Sequence, residues 1–192
     1  MEPSMSSEQP EKVMTPANWL TLSRMLVAPL VLITFCYGGF VLRAVGFVLF
    51  GLGAISDFWD GYIARRTQLS YWGKLWDPIA DKVLTGSALI TLSVLQILPW
   101  WITVALILRD IAVTALRLTI LRKGRGILLP ILAAKLKTTF ELIMLSSLLL
   151  WAVFSRTPLP EVAQMVVLVY AAFVVALSWA TGIYYIKKGL KM

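Results

Sequence analysis

The chain has 192 residues, 59% of them hydrophobic, with a net charge of +8 and a mean hydropathy of +0.80. It holds no His and one Cys, Cys36, which argues against zinc sites, His bases, Ser-His-Asp triads and any internal disulfide. Long uncharged runs recur along its whole length, so an all-α integral membrane protein is expected, as one bundle because no polar linker divides it.

Residues 1–14 are polar and rich in Ser, Glu and Pro, and read as a disordered cytoplasmic tail. Neither a cleavable signal peptide nor an Arg-rich transit peptide precedes the first apolar run. Thr15-Pro16 reads as a helix N-cap and a first helical position, opening a membrane domain that takes up residues 15–192. Hydropathy and length predict six transmembrane helices there, at about Ala17–Tyr37, Phe40–Arg65, Lys74–Leu95, Trp100–Leu121, Leu132–Val153 and Val162–Ile186. Asn18, Thr21 and Arg24 share a face, so the first helix is expected to begin as an interfacial helical segment.

Basic residues alternate between the two ends of these spans. Arg65, Arg66 and Lys74 follow the second span; Arg122, Lys123, Arg125 and Lys135 follow the fourth; Lys187, Lys188 and Lys191 close the chain. The opposite connections carry only Arg43 and Arg156, and Pro99, Trp100 and Trp101 in the middle one suit an interfacial aromatic belt. Both termini are therefore expected in the cytoplasm, and the positive charge is put down to topology with no nucleic-acid partner. Cys36, in an apolar run, reads as a packed or lipid-facing thiol.

Four aspartates interrupt this apolar pattern. Asp57 and Asp60 are three apart near the end of the second span; Asp77 and Asp81 are four apart near the start of the third. Each pair shares a helix face. A short connection should fold the two spans into an antiparallel hairpin with both pairs at its closed, cytoplasmic end. A single Asp within a membrane helix costs roughly 2.5–3.5 kcal/mol, so a quartet calls for bound positive charge. Carboxylates without His or Cys favour hard divalent ions, Mg2+ or Mn2+, and four of them suffice for two ions of the kind that assist in-line displacement at phosphorus. Gly61 and Ala64 keep the same face open, Arg65 offers a planar fork to phosphate oxygens, and Gly73 stands where the next helix begins and its N–H groups favour anions. Structural ion pairing and a cation-transport site are the rival accounts; transporter sites more often lie near the bilayer midplane, at broken helices.

The run Asp57-x-x-Asp60-Gly61-x-x-Ala64-Arg65, then Gly73-x-x-x-Asp77-x-x-x-Asp81, resembles the signature of the CDP-alcohol phosphatidyltransferases, with every fixed residue present. Seven residues separate Arg65 from Gly73 where eight is more usual. The resemblance implies a six-span, dimeric membrane enzyme. Asp57, Asp60, Asp77 and Asp81 would hold two divalent cations, and Asp81 would also be the base for the acceptor hydroxyl. Gly61, Ala64, Arg65 and Gly73, with Asp57 and Asp60, would line the nucleotide pocket. The reaction implied is transfer of a phosphatidyl group from CDP-diacylglycerol to an alcohol with release of CMP, at the bacterial plasma membrane.

Arg109 and Arg117 lie eight apart in the fourth span, and Lys135 and Lys137 begin the fifth. Cations within a span face polar cavities or snorkel to headgroups. Arg109 to Leu118, Lys135 to Thr138, and Asn18, Thr21 and Arg24 resemble the members of that family whose acceptor is glycerol 3-phosphate. Asp110 stands where Glu is more common, and Ala134 where Gly is. Arg109, Arg117, Lys135 and Lys137 are accordingly the expected acceptor-phosphate residues. Inositol phosphate and phosphatidylglycerol, also anionic, are the alternative acceptors.

Overall fold

A computed structural model describes residues 16–63, 71–122, 132–155 and 159–190, with side chains for 22–56, 79–116, 118–120, 132–155 and 159–187. The elements are α1 Pro16–Tyr37, α2 Phe40–Ile63, α3 Tyr71–Val94, α4 Trp100–Arg122, α5 Leu132–Phe154 and α6 Glu161–Leu190. Each expected span lies on one of these helices, and the described residues contain no strand. The expected tail, 1–14, lies outside the described residues.

Local chemistry sets the ends. Pro16 opens α1, where a missing N–H costs nothing. The helix then runs unbroken to Tyr37, so the polar turn at Asn18, Thr21 and Arg24 is its start and no separate element; the Arg24 side chain is buried. Gly38 and Gly39 end it, with Gly38 N–H donating to the Thr34 carbonyl at 3.0 Å. After α3 the chain closes through a six-to-one bond from Ile97 N–H to the Leu92 carbonyl, 2.9 Å, and a bond from Gln96 N–H to the Ser93 carbonyl, 3.0 Å. Gln96 takes φ 58°, the left-handed cap that such a motif requires. The Ser93 and Thr103 hydroxyls, 2.6 Å apart, then fasten the end of α3 to the first turn of α4.

α3 is the middle of the bundle and packs on α1, α2, α4 and α5; α6 lies against α4 and α5. Its buried face carries Ala80, Leu84, Ala88, Leu89 and Leu92. Gly53 lets α2 come close at that face, since a Cβ there would stand 2.7 Å from the Leu84 Cδ2 atom. Arg43 donates to the Ala152 carbonyl at 3.1 Å near the end of α5, and the Tyr170 hydroxyl donates to the Phe140 carbonyl at 3.1 Å, joining α6 to α5.

The outside is apolar: Leu26, Val41, Phe154, Val162 and Met165 are all exposed. Leu132–Phe154 and Glu161–Lys187 are each long and apolar enough to cross a membrane, and Leu22–Tyr37 and Phe40–Ser56 are shorter apolar stretches. An exterior of this kind matches hydrocarbon, while Arg109, Asp110, Lys137 and Glu141 are buried inside.

Candidate functional site

The backbone places both acidic pairs at one end of the bundle. Asp57 and Asp60 occupy the last two turns of α2, and Asp77 and Asp81 lie in the early turns of α3. Gly53 on α2 touches Leu84 on α3; Asp57 is one turn beyond Gly53, and Asp81 is one turn before Leu84 in sequence. Asp57 and Asp81 thus sit about one turn, and Asp60 and Asp77 about two turns, from a point of direct helix contact. The side chains of Asp57, Asp60 and Asp77 lie outside the described residues, as do Ala64 and Arg65 altogether. Gly61 lies in the last turn of α2. α3 starts at Tyr71, so Gly73 stands within its first turn, whose N–H groups have no intrahelical acceptor.

Asp81 is described in full. Its side chain is 28% exposed, and Oδ2 lies 3.2 Å from Lys82 Nζ. The same Nζ lies 3.2 Å from Asp110 Oδ2 on α4. Asp110 Oδ1 accepts from Arg109 Nη1 at 2.8 Å and from Lys137 Nζ at 2.9 Å. Lys137 also meets Glu141 Oε2 at 2.6 Å, one turn along α5. Three cations, Lys82, Arg109 and Lys137, therefore alternate with three carboxylates, Asp81, Asp110 and Glu141. At such depth each ion needs an opposite partner, because taking a bare charge out of water costs several kcal/mol.

Arg109 also ties this cluster to α6. Its Nε donates to the Ser178 carbonyl at 2.8 Å and its Nη2 to the Thr181 hydroxyl at 2.8 Å. Arg109 packs along Gly182, where a Cβ would meet its Cγ and Nε atoms at 3.4 Å, in ordinary contact. The planar guanidinium spreads its donors over three nitrogens in a fixed fork, so each meets a different acceptor, where an ammonium would have to gather all three about one atom.

Of the four expected acceptor-phosphate residues, Arg109 and Lys137 come together on Asp110. Lys135 is exposed, and two residues from Lys137 it falls on the opposite side of α5. Arg117 lies on α4 with its side chain outside the described residues. Two residues that sequence reasoning passed over, Lys82 and Glu141, complete the cluster. Glu141 carries a legible signal, its spacing of four from Lys137. Lys82 follows Asp81 directly and reads in sequence as a charge at the span's edge.

Beside the cluster a groove of about 610 Å³ runs between α1, α3 and α4. Pro29, Val83, Ile107 and Ile111 are among its walls, and Lys82 and Asp110 supply its charge. It is an apolar trough with Lys82 and Asp110 in its wall.

Asp81 is the one expected metal ligand whose side chain is described. Among the described residues no group of three His, Cys, Asp or Glu forms a metal cage, and three of the four expected ligands have side chains beyond that description. The donor set is carboxylate alone, which selects hard cations. The partly exposed Asp81, one turn from the contact of α2 and α3, can take part.

Comparison with known proteins bears on the whole chain. The sequence profile of the CDP-alcohol phosphatidyltransferases matches residues 14–184. A protein of Mycobacterium tuberculosis named probable phosphatidylglycerophosphate synthase is 36% identical over 179 residues, covering 91% of this chain and 81% of that one. A Rickettsia typhi protein named CDP-diacylglycerol–glycerol-3-phosphate 3-phosphatidyltransferase is 34% identical over 171 residues, 88% of this chain and 94% of that one. A Drosophila melanogaster protein named probable cardiolipin synthase (CMP-forming) is 39% identical over 106 residues, 54% of this chain and 32% of that one.

Proposed function

The chain belongs to the CDP-alcohol phosphatidyltransferase family, and from that premise we propose that it transfers a phosphatidyl group from CDP-diacylglycerol to sn-glycerol 3-phosphate, giving phosphatidylglycerophosphate and CMP. The observation that carries this reading is the match over 88% of this chain and 94% of a relative named for that reaction. The complete signature from Asp57 to Asp81 supports it, and so does the apolar groove with Lys82 and Asp110 in its wall, which suits the acyl chains of a lipid donor.

Asp57, Asp60, Asp77 and Asp81 would hold two divalent cations, Mg2+ or Mn2+, which supply positive charge to the diphosphate when bound. Gly61, Ala64, Arg65 and Gly73 line the nucleotide side, Arg65 by its paired N–H donors and Gly73 by the open first turn of α3. Asp81 takes the proton of the acceptor hydroxyl. That oxygen forms a bond to the lipid-side phosphorus as the bond from phosphorus to the CMP oxygen breaks. CMP departs with the electron pair, and the proton stays on Asp81 until solvent removes it. Arg109 and Lys137, gathered on Asp110, supply positive charge on the side of the acceptor's phosphate together with Arg117; Lys135, exposed on the other side of α5, is dropped from that set. Six spans with both termini in the cytoplasm put this end of the bundle at the inner face of a bacterial plasma membrane. Two copies form the working unit, and residues 1–14 precede the catalytic domain.

Purified protein supplied with CDP-diacylglycerol, glycerol 3-phosphate and Mg2+ should release CMP, and EDTA should stop it. Phosphatidylglycerol and inositol phosphate belong in the same panel. The cardiolipin synthase match favours the first of these as a second reading, over about half of this chain. CMP release with either compound and none with glycerol 3-phosphate would move the acceptor assignment. Metal flux into vesicles without CMP release would replace transfer by transport.

A further inference from the structure

Lys82 lies outside the family signature, yet it joins two parts of the molecule. It is the only described residue that contacts both Asp81 and Asp110. An ion pair between sequence neighbours at a quarter exposure is weak by itself, because both side chains are free to turn toward water. Asp110 changes that. It stands on a different helix, is 8% exposed, and holds Lys82 by its second oxygen while the first is shared by Arg109 and Lys137.

Asp110 cannot turn without taking from the buried Arg109 the carboxylate that pairs it. Arg109 is fixed in turn by the Ser178 carbonyl and the Thr181 hydroxyl of α6, and Lys137 by Glu141 of α5. Restraint therefore passes from α5 and α6 through Asp110 to Lys82, and from Lys82 to one oxygen of Asp81. A cluster that did no more than hold helices together would be complete at Lys82. This one extends to the Asp81 carboxylate at the edge of the acidic site.

We propose that Lys82 is a positioning residue: anchored on Asp110, it fixes the orientation of the Asp81 carboxylate and passes the rigidity of the α4, α5 and α6 ion cluster to the acidic site. The proposal rests on the transferase reading above. A proton acceptor must meet its donor within hydrogen-bond reach, and small misplacements are costly: a shift of about 1 Å can lower a rate on the order of 100-fold.

The test uses the full chain in lipid nanodiscs, as wild type, K82M, K82R, K82Q, D110N and the K82M/D110N double variant. Three quantities are read: kcat and KM for glycerol 3-phosphate from CMP release, the Mn2+ dissociation constant without substrate, and Tm. K82M should lower kcat about 10- to 100-fold and leave KM within a few-fold. D110N should act in the same direction, and the double variant should be no worse than the poorer single one. K82R, which still spans two carboxylates, should recover most of the rate. Mn2+ should bind K82M more weakly. Loss of a neighbouring positive charge alone would tighten it, so the sign separates positioning from electrostatics.

Wild-type kcat in K82M overturns the proposal, and so does unchanged or tighter Mn2+ binding whatever happens to kcat or Tm; additive losses in the double variant do so as well. Should K82M or D110N not fold, K82Q carries the test, with the same reduced kcat and weaker Mn2+ binding expected and a wild-type value in either overturning it. A wild-type protein that releases no CMP with any acceptor fails the transferase reading instead, and the Mn2+ arm still decides whether Lys82 orients Asp81.

Discussion

Asp81 and Arg109 are both charged, half a bundle apart in role. Asp81→Asn keeps the shape of the side chain and removes its capacity to take a proton. Turnover should fall about 1,000-fold, within the usual span for loss of a general base, while CDP-diacylglycerol still binds in an equilibrium titration; near-full CMP release from this variant would mean that another group is the base. Arg109→Lys keeps the charge and loses the fork. It forfeits the bonds to the Ser178 carbonyl and the Thr181 hydroxyl, and should cost about 1–3 kcal/mol of stability, read as a lower Tm in detergent. The aspartate pairs were legible because spacings of three and four are properties of one helix. The partnership of Lys82, Asp110 and Lys137 was not: Lys137 and Asp110 are 27 residues apart, and their meeting depends on how α3, α4 and α5 are rotated about their own axes. Asp110, read in the sequence as a departure from a more common Glu, is the hub of that meeting.

Between helices the decisive contact is Gly53 against Leu84. It brings α2 to α3 one turn from Asp57 and from Asp81, so its width governs how far apart the acidic pairs stand. Gly53→Val should push the helices apart and lower kcat at least 10-fold; Leu84→Ala, which opens space at that point, should restore part of the rate in the double variant. A double variant no better than Gly53→Val would show that the spacing of α2 and α3 does not control the site. Helix ends were readable to within a few residues, because Pro16, the Gly38-Gly39 pair and Pro99 mark them chemically. The start of α3 at Tyr71, three residues ahead of the expected Lys74, moved Gly73 from the helix boundary into the first turn.

At the scale of the molecule, six long apolar segments were legible from hydropathy, and each lies on one helix. Which of them is central was not, since hydropathy says how much surface is apolar and not which neighbour covers it. The ion cluster draws its members from α3, α4 and α5, and its buried ones, Arg109, Asp110, Lys137 and Glu141, lie on α4 and α5. The proposed orientation has its own check. In a Cys36→Ser background, a cysteine placed at Thr157 should react with an impermeant maleimide from outside the cell, and one placed at Thr67 should react only after the membrane is opened. The reverse pattern would invert the topology and with it the side from which glycerol 3-phosphate arrives.

The closure after α3 also bears on how such a chain is made. The stretch Leu95–Pro99 contains no ionised residue, its backbone bonds turn back on Leu92 and Ser93, and its one polar side chain is the Gln96 amide. In the proposed six-span arrangement, α3 and α4 would enter the bilayer as a loop whose leading tip carries one amide and no charge, whereas a Lys or Asp held at the centre of a spanning helix costs roughly 2.5–3.5 kcal/mol.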